Sequence, residues 1–122
     1  MNVLLLGANG QLGKSLQEAI PPSHLQAIPR STFNLEESDP NELLLKLKPQ
    51  TVINAAAYTD VNRAESEEDK ANNINNKAVK ALSIACKTIG ANLIHISTDF
   101  VFDGLSSSPY TTDSKCNPLN TY

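Results

Sequence analysis

Gly7, Gly10 and Gly13 stand at three-residue spacing directly behind the apolar run Val3-Leu4-Leu5-Leu6. Of all stretches in the sequence, this one has the residue types and spacing best suited to chemistry. A turn that tight needs at least one position without a Cβ. A helix opening near Gly10 aims its free backbone N–H groups, and the positive end of its dipole, at the turn, where a pyrophosphate can settle. Gly13 lets that helix lie close against the strand. The pattern is a G-x-x-G-x-x-G form of the dinucleotide-binding fingerprint, with the second glycine placed differently from G-x-G-x-x-G. The same glycines also suit a strand-to-helix turn that holds no ligand.

The other reactive side chains form no comparable group. His24 falls in a loop and His95 in a strand, neither with a partner at metal-ligand spacing. Cys86 and Cys116 lack that spacing too and read as inert thiols rather than halves of a disulfide. No metal site is expected. Taken alone, Thr98 reads as a turn or cap residue, and Tyr122 carries no signal. The 122 residues, 40% hydrophobic and 19% charged, describe one globular domain or part of one. A net charge of -3 without a Lys/Arg run argues against a nucleic-acid or membrane-surface partner. No apolar run approaches a membrane span, and Met1 leads into the first strand without a signal-peptide pattern, so a cytoplasmic location is expected.

The elements that must position the glycines follow from pattern. Val3 to Leu6 reads as a buried parallel strand. Leu12, Leu16 and Ile20 form the stripe of a helix that Pro21-Pro22 ends. A second strand spans Leu25 to Ile28 and closes at Pro29. Asp39, Pro40 and Glu42 open the next helix in capping-box order, its Leu43, Leu44 and Leu47 facing the sheet until Pro49 stops it. A third strand covers Thr51 to Ala55. Asp60 to Asp69 reads as an acidic loop with a short helical turn, and Ser66 as the start of a long helix. In that helix Ala71, Ile74, Ala78, Leu82, Ala85 and Ile89 recur at three- and four-residue spacing as far as Gly90. The fourth strand is Asn92 to Ser97, and the chain is loop-like through Thr121. This alternation predicts an α/β fold, a Rossmann-like doubly wound parallel sheet in strand order 3-2-1-4, with ligands at the switch between strands 1 and 4.

GANGQLG, NAAAYTDVNRAE, STDFVFDG and the ending PLNTY resemble, in order and spacing from residue 1 to residue 122, the dTDP-4-dehydrorhamnose reductases, a branch of the extended short-chain dehydrogenase/reductases. STDFVFDG is the most specific part. The resemblance implies reduction of the 4-keto group of a nucleotide-linked deoxysugar, giving dTDP-L-rhamnose, with Thr98 and Tyr122 as the catalytic hydroxyls. It also implies a Lys four residues beyond that Tyr, a position outside this chain. Position by position, it puts Gly10, Gln11 and Leu12 on the pyrophosphate and Asn34 and Leu35 on the adenine, Asn34 standing where the family often has Asp. It puts Ala55, Ala56, Ala57, Tyr58 and Thr59 on the nicotinamide side with Ile96, and Thr98 and Asp99 on the substrate. Asn75 matches an Asn that helps organise the active site in related dehydrogenases. For Ala55, close packing at a strand end is an equal alternative.

Arg30-Ser31 at the end of strand two lacks the acid that binds a ribose 2′-OH, and an Arg there accommodates a 2′-phosphate, so NADPH is the expected cofactor, with NADH as the alternative. The expected partners are a nucleotide-sugar substrate and, for oligomer formation, further copies of the chain. The rivals are another sugar-nucleotide epimerase or dehydratase, which STDFVFDG argues against, and a non-catalytic protein resembling the regulatory subunit of methionine adenosyltransferase. Read as the N-terminal part of such a reductase, truncated after strand four and without its substrate domain, the 122-residue chain is expected to bind the dinucleotide weakly. It is also expected to show no reductase activity and to self-associate through the strand-four edge.

Overall fold

The computed structural model describes residues 2–122, among which four strands form one parallel sheet. They are β1 (Val3–Leu6), β2 (Leu25–Ile28), β3 (Thr51–Asn54) and β4 (Asn92–His95). β1 and β2 run as predicted, β1 ending at Gly7 and β2 at Pro29. β3 and β4 are shorter than expected at their carboxyl ends. The Asn54 side chain accepts the N–H of Ala56 at 3.1 Å, which turns the chain out of the ladder. The last β3–β4 pair is therefore Asn54 with His95, and Ile96 has no strand partner.

The strand order is 2-1-3-4, which corrects the expected 3-2-1-4. The faces taken by the helices explain the difference. Helix α1 (Gln11–Ala19) lies on one face, where Leu16 and Ile20 pack against Val3, Leu5 and Ile53. Helix α2 (Pro40–Leu47) lies on the other, its fully buried Leu44 sharing a core with Leu4, Leu6, Val52 and Leu82. Burying a side chain such as Leu44 stabilises the fold by roughly 1.5–3 kcal/mol. A right-handed crossover that changes face must also change direction across the sheet. The chain steps from β1 outward to β2, then returns through α2 past β1 to β3. The direction reverses one strand earlier than predicted, and the switch point lies between β1 and β3.

Asp39 caps α2 by accepting the Asn41 N–H at 2.9 Å, one position earlier than a capping box would bond, and left-handed Lys48 ends the helix ahead of Pro49. The acidic segment does hold a short helix, α3 (Val61–Ala64), with Asp60 accepting the Arg63 N–H. Ser66 closes that turn, its hydroxyl donating to the Arg63 carbonyl, rather than starting the next helix. The predicted long helix is three pieces: α4 (Glu68–Asn72), a π-helical turn over Asn73–Lys77, and α5 (Ala78–Ile89), which Gly90 ends at φ +72°. α5 packs beside α2, burying Leu82, Ala85 and Cys86. No described helix is long and apolar enough to cross a membrane.

Candidate functional site

The chain leaves β1 through Gly7 at φ +82°, a left-handed conformation that suits glycine. A Cβ there would lie 2.7 Å from the backbone of Ala55 and Ala56, so the turn sits directly against the end of β3. Gly13 is needed for space: a Cβ on it would lie 2.2 Å from the Gly7 carbonyl oxygen. The two glycines seat α1 against the turn. Gly10 caps α1 without a side-chain bond. Among the described residues no acceptor meets the N–H groups of Gln11 and Leu12. These free donors, at the positive end of the helix dipole, open onto a cleft of about 790 Å³.

The cleft lies beyond the carboxyl ends of β1 and β3. It brings together Gly7, Gly10, Gln11, Leu12, Arg30, Asn34, Leu35, Ala55, Ala56, Ala57, Thr59, Ile96 and Tyr122 of the residues singled out from sequence. It does not include Gly13, which acts behind the wall, nor Tyr58, Thr98 or Asp99. Arg30 borders the cleft and pairs with Glu36 at 3.5 Å, its side chain largely exposed. The stripe residue Leu12 is 39% exposed at the cleft instead of packing under the sheet.

Tyr58 turns its side chain the other way. Its hydroxyl donates to Glu67, whose carboxylate also faces Arg63 and Lys70, and the Lys70 ammonium stands 5.5 Å from the ring centre. The hydrogen bond to Glu67 pushes the phenol pKa up to about 12 and holds the Glu67 carboxyl below its ordinary value. The backbone of Tyr58 serves the cleft. Asn75, on the π-helical turn, accepts the Tyr58 N–H at 2.8 Å and donates to its carbonyl at 2.9 Å, fixing the strip from Ala57 to Thr59.

Sequence reasoning missed Ser15, Phe33, Asn54 and Ile74, all in the cleft lining. Asn54 is almost fully buried. Since its oxygen accepts from Ala56, its amide nitrogen faces His95 Nδ1 at 3.2 Å and donates to it. That requires a neutral imidazole, in keeping with lost hydration that lowers the His95 pKa. A polar residue ending an apolar strand, TVIN, was the available signal for Asn54.

Thr98 caps a turn of 3-10 helix (Asp99–Val101), accepting the Phe100 N–H at 3.2 Å and facing the Asp99 carboxylate at 3.3 Å, as its stand-alone reading had it. Beyond it Asp103 organises the loop, accepting from Tyr110 at 2.7 Å, from Asn117 at 3.0 Å and from the Leu105 N–H at 3.1 Å. Those donors, Asn117 foremost, hold its carboxyl down at about 2. Tyr122 meets Phe100 edge to face, ring centres 5.6 Å apart.

The family model described as the RmlD substrate binding domain matches residues 1–122. A dTDP-4-dehydrorhamnose reductase of Burkholderia thailandensis is 41% identical over the whole chain, which spans 42% of that protein. Two solved dTDP-4-dehydrorhamnose reductases share the fold over the whole chain. The one from Clostridium acetobutylicum has a TM-score of 0.93 at 36% identity, and the one from Bacillus anthracis, in complex with NADP, has 0.91 at 35%; this chain covers 45% of each. The chain thus spans less than half the length of the relatives it matches. These matches bear out the resemblance drawn from GANGQLG and STDFVFDG: the chain belongs to the RmlD substrate binding domain family, that of the dTDP-4-dehydrorhamnose reductases.

Proposed function

We propose that the full-length protein carrying this chain reduces the 4-keto group of dTDP-4-dehydro-L-rhamnose to dTDP-L-rhamnose in the cytoplasm, using NADPH, with NADH as a poorer alternative. One observation carries the reading: a single cleft joins the free N–H groups of Gln11 and Leu12, the Arg30 guanidinium and the Tyr122 side chain. The residues fit a phosphorylated dinucleotide. Unpaired helix donors suit its pyrophosphate, Arg30 its 2′-phosphate, Asn34 and Leu35 its adenine, and the small side chains Ala55 to Ala57 leave room for the nicotinamide and its ribose. When bound, the reduced dinucleotide supplies the hydride.

The chain's own residues handle the charge that follows. A ketone oxygen gains negative charge as its carbon is reduced, and hydroxyl donors aimed at it stabilise that change. Tyr122 gives this oxygen its proton from the phenol hydroxyl. Thr98 is the second donor. Its oxygen is held by the Phe100 N–H, and the long contact to Asp99 is the one its proton would give up.

Incubating the full-length protein with dTDP-4-dehydrorhamnose and either cofactor, with product identified by mass and NMR, tests the reading. Formation of dTDP-L-rhamnose with higher kcat/KM for NADPH is expected. A folded protein that binds NADPH and leaves this substrate untouched would overturn it.

A further inference from the structure

Among the described residues, the segment from Pro118 to Tyr122 makes hydrogen bonds only through Thr121, and both go to one side chain. Glu65 accepts the Thr121 N–H at 2.8 Å with Oε1 and faces the Thr121 hydroxyl at 3.3 Å with Oε2, across 56 positions of sequence. Glu65 is the exposed residue closing α3. A carboxylate at a helix C-terminus gains nothing from the dipole, so its favourable contacts here are the remote ones. α3 follows directly from the strip that lines the cleft from Ala55 to Thr59. Glu65 therefore couples that wall to the peptide just before Tyr122.

We propose that Glu65 is a positioning residue for Tyr122: by gripping the Thr121 N–H and hydroxyl together, it sets the peptide plane from which the phenol enters the cleft. This rests on the reading of Tyr122 as proton donor. The Phe100 ring supports the phenol from one side, but an edge contact leaves it free to slide. The two bonds to Glu65 remove that freedom, and they do so outside the cleft, without contact to a ligand.

The test has two arms. In the full-length protein, Glu65→Ala is expected to speed amide exchange at Thr121 about tenfold, the scale of one lost charge-assisted hydrogen bond, while exchange at the Tyr58 amide stays as it was. In the full-length protein, Glu65→Ala should lower kcat roughly tenfold through misplacement of the reacting group, with KM for NADPH and melting temperature little changed. Glu65→Gln keeps an oxygen for the Thr121 N–H and should restore most of the rate. Glu65→Ala added to Tyr122→Phe should cost nothing further. Unchanged exchange at Thr121, unchanged kcat, or full additivity in the double variant would each overturn the proposal. Full activity in Tyr122→Phe would overturn the reading beneath it, whereas a crippled Tyr122→Phe beside a fully active Glu65→Ala would remove Glu65 alone.

Discussion

The two ends of the cleft are built in different ways. At the β1–α1 end, backbone meets backbone. Gly7 packs on Ala55 and Ala56, Gly13 leaves no room above the Gly7 carbonyl, and the donors offered are main-chain N–H groups. At the Tyr122 end, side chains make the contacts, Glu65 to Thr121 and Phe100 to Tyr122, and in the loop beyond, Asp103 holds Tyr110 and Asn117. The first end cannot be loosened without refolding a turn. The second can be loosened one bond at a time.

The comparison breaks most visibly at the hydroxyls. Tyr122→Phe in the full-length protein is expected to lower kcat by about 10²–10⁴-fold, the range for general acid catalysis, and Thr98→Val by about 10²–10³-fold, like the loss of one oxyanion donor. Dissociation constants for NADPH should barely move in either. Ser97, which does line the cleft, is the control. A larger loss in Ser97→Ala than in Thr98→Val would transfer the second donor to Ser97.

At the opposite end the damage should appear in folding. Gly13→Ala puts a methyl 2.2 Å from the Gly7 oxygen and is expected to cost about 3 kcal/mol in denaturant unfolding, the upper part of the overpacking range. Gly10→Ala, whose Cβ would stand 3.4 Å from the same oxygen, should cost under about 1 kcal/mol, as at a cap position. Equal costs would mean that the interlock of Gly7 and Gly13 is not what holds this end.

Arg30 tests cofactor choice. Arg30→Ala should weaken NADPH roughly tenfold relative to NADH in a binding titration, the size of one charge-assisted contact. An equal loss for both cofactors would reduce Arg30 to a loop charge.

The smallest effect is one of pH. The Asp103 carboxyl is lowered from 3.8 to about 2 by its three donors. A carboxyl whose folded pKa is depressed adds stability that is present above its unfolded pKa and lost as pH falls through the folded one. The Tyr110 and Asn117 contacts should therefore loosen as pH drops from about 4 toward about 2, read by NMR at those side chains. The amides of Gln11 and Leu12 should report no change over that interval.

The sequence was most informative where structure is local. Val3–Leu6 and Leu25–Ile28 are bounded by residues that end strands, and Asp39-Pro40 opens a helix wherever it falls. The glycine spacing likewise showed the turn that forms. Strand order was not legible, because alternation of strand and helix constrains the hand of each crossover and leaves its direction to the core that α2 shares with α5. Asn54 escaped for a related reason, and Asn75 was reached through the family resemblance alone. Each bonds to backbone on another segment or just past its own strand, and an Asn in such a role looks the same in sequence as one on the surface. Tyr58 separates the roles of side chain and backbone. Resemblance placed it at the cofactor, while its side chain belongs to the Glu67 cluster and only its backbone faces Asn75.

The π-helical turn carries a consequence for inheritance. Such a turn holds one residue more than an α-helical one, and each residue turns a helix by about 100°. Because the wider turn absorbs that extra residue, the helix on either side keeps nearly the phase of an uninterrupted one. Loss of a single codon between Asn73 and Lys77 keeps the reading frame and would let α4 and α5 run on as one regular helix, with Leu82 and Ala85 still on the sheet. What such a loss removes is the place of Asn75, whose amide holds both polar groups of the Tyr58 backbone. Exposed Asn76 and Lys77 should accept missense changes that leave the codon count intact. A library of single-codon deletions and substitutions across 73–77, scored for soluble protein and for NADPH binding, should find the deletions retained in the first screen and depleted in the second, with substitutions at those two positions retained in both.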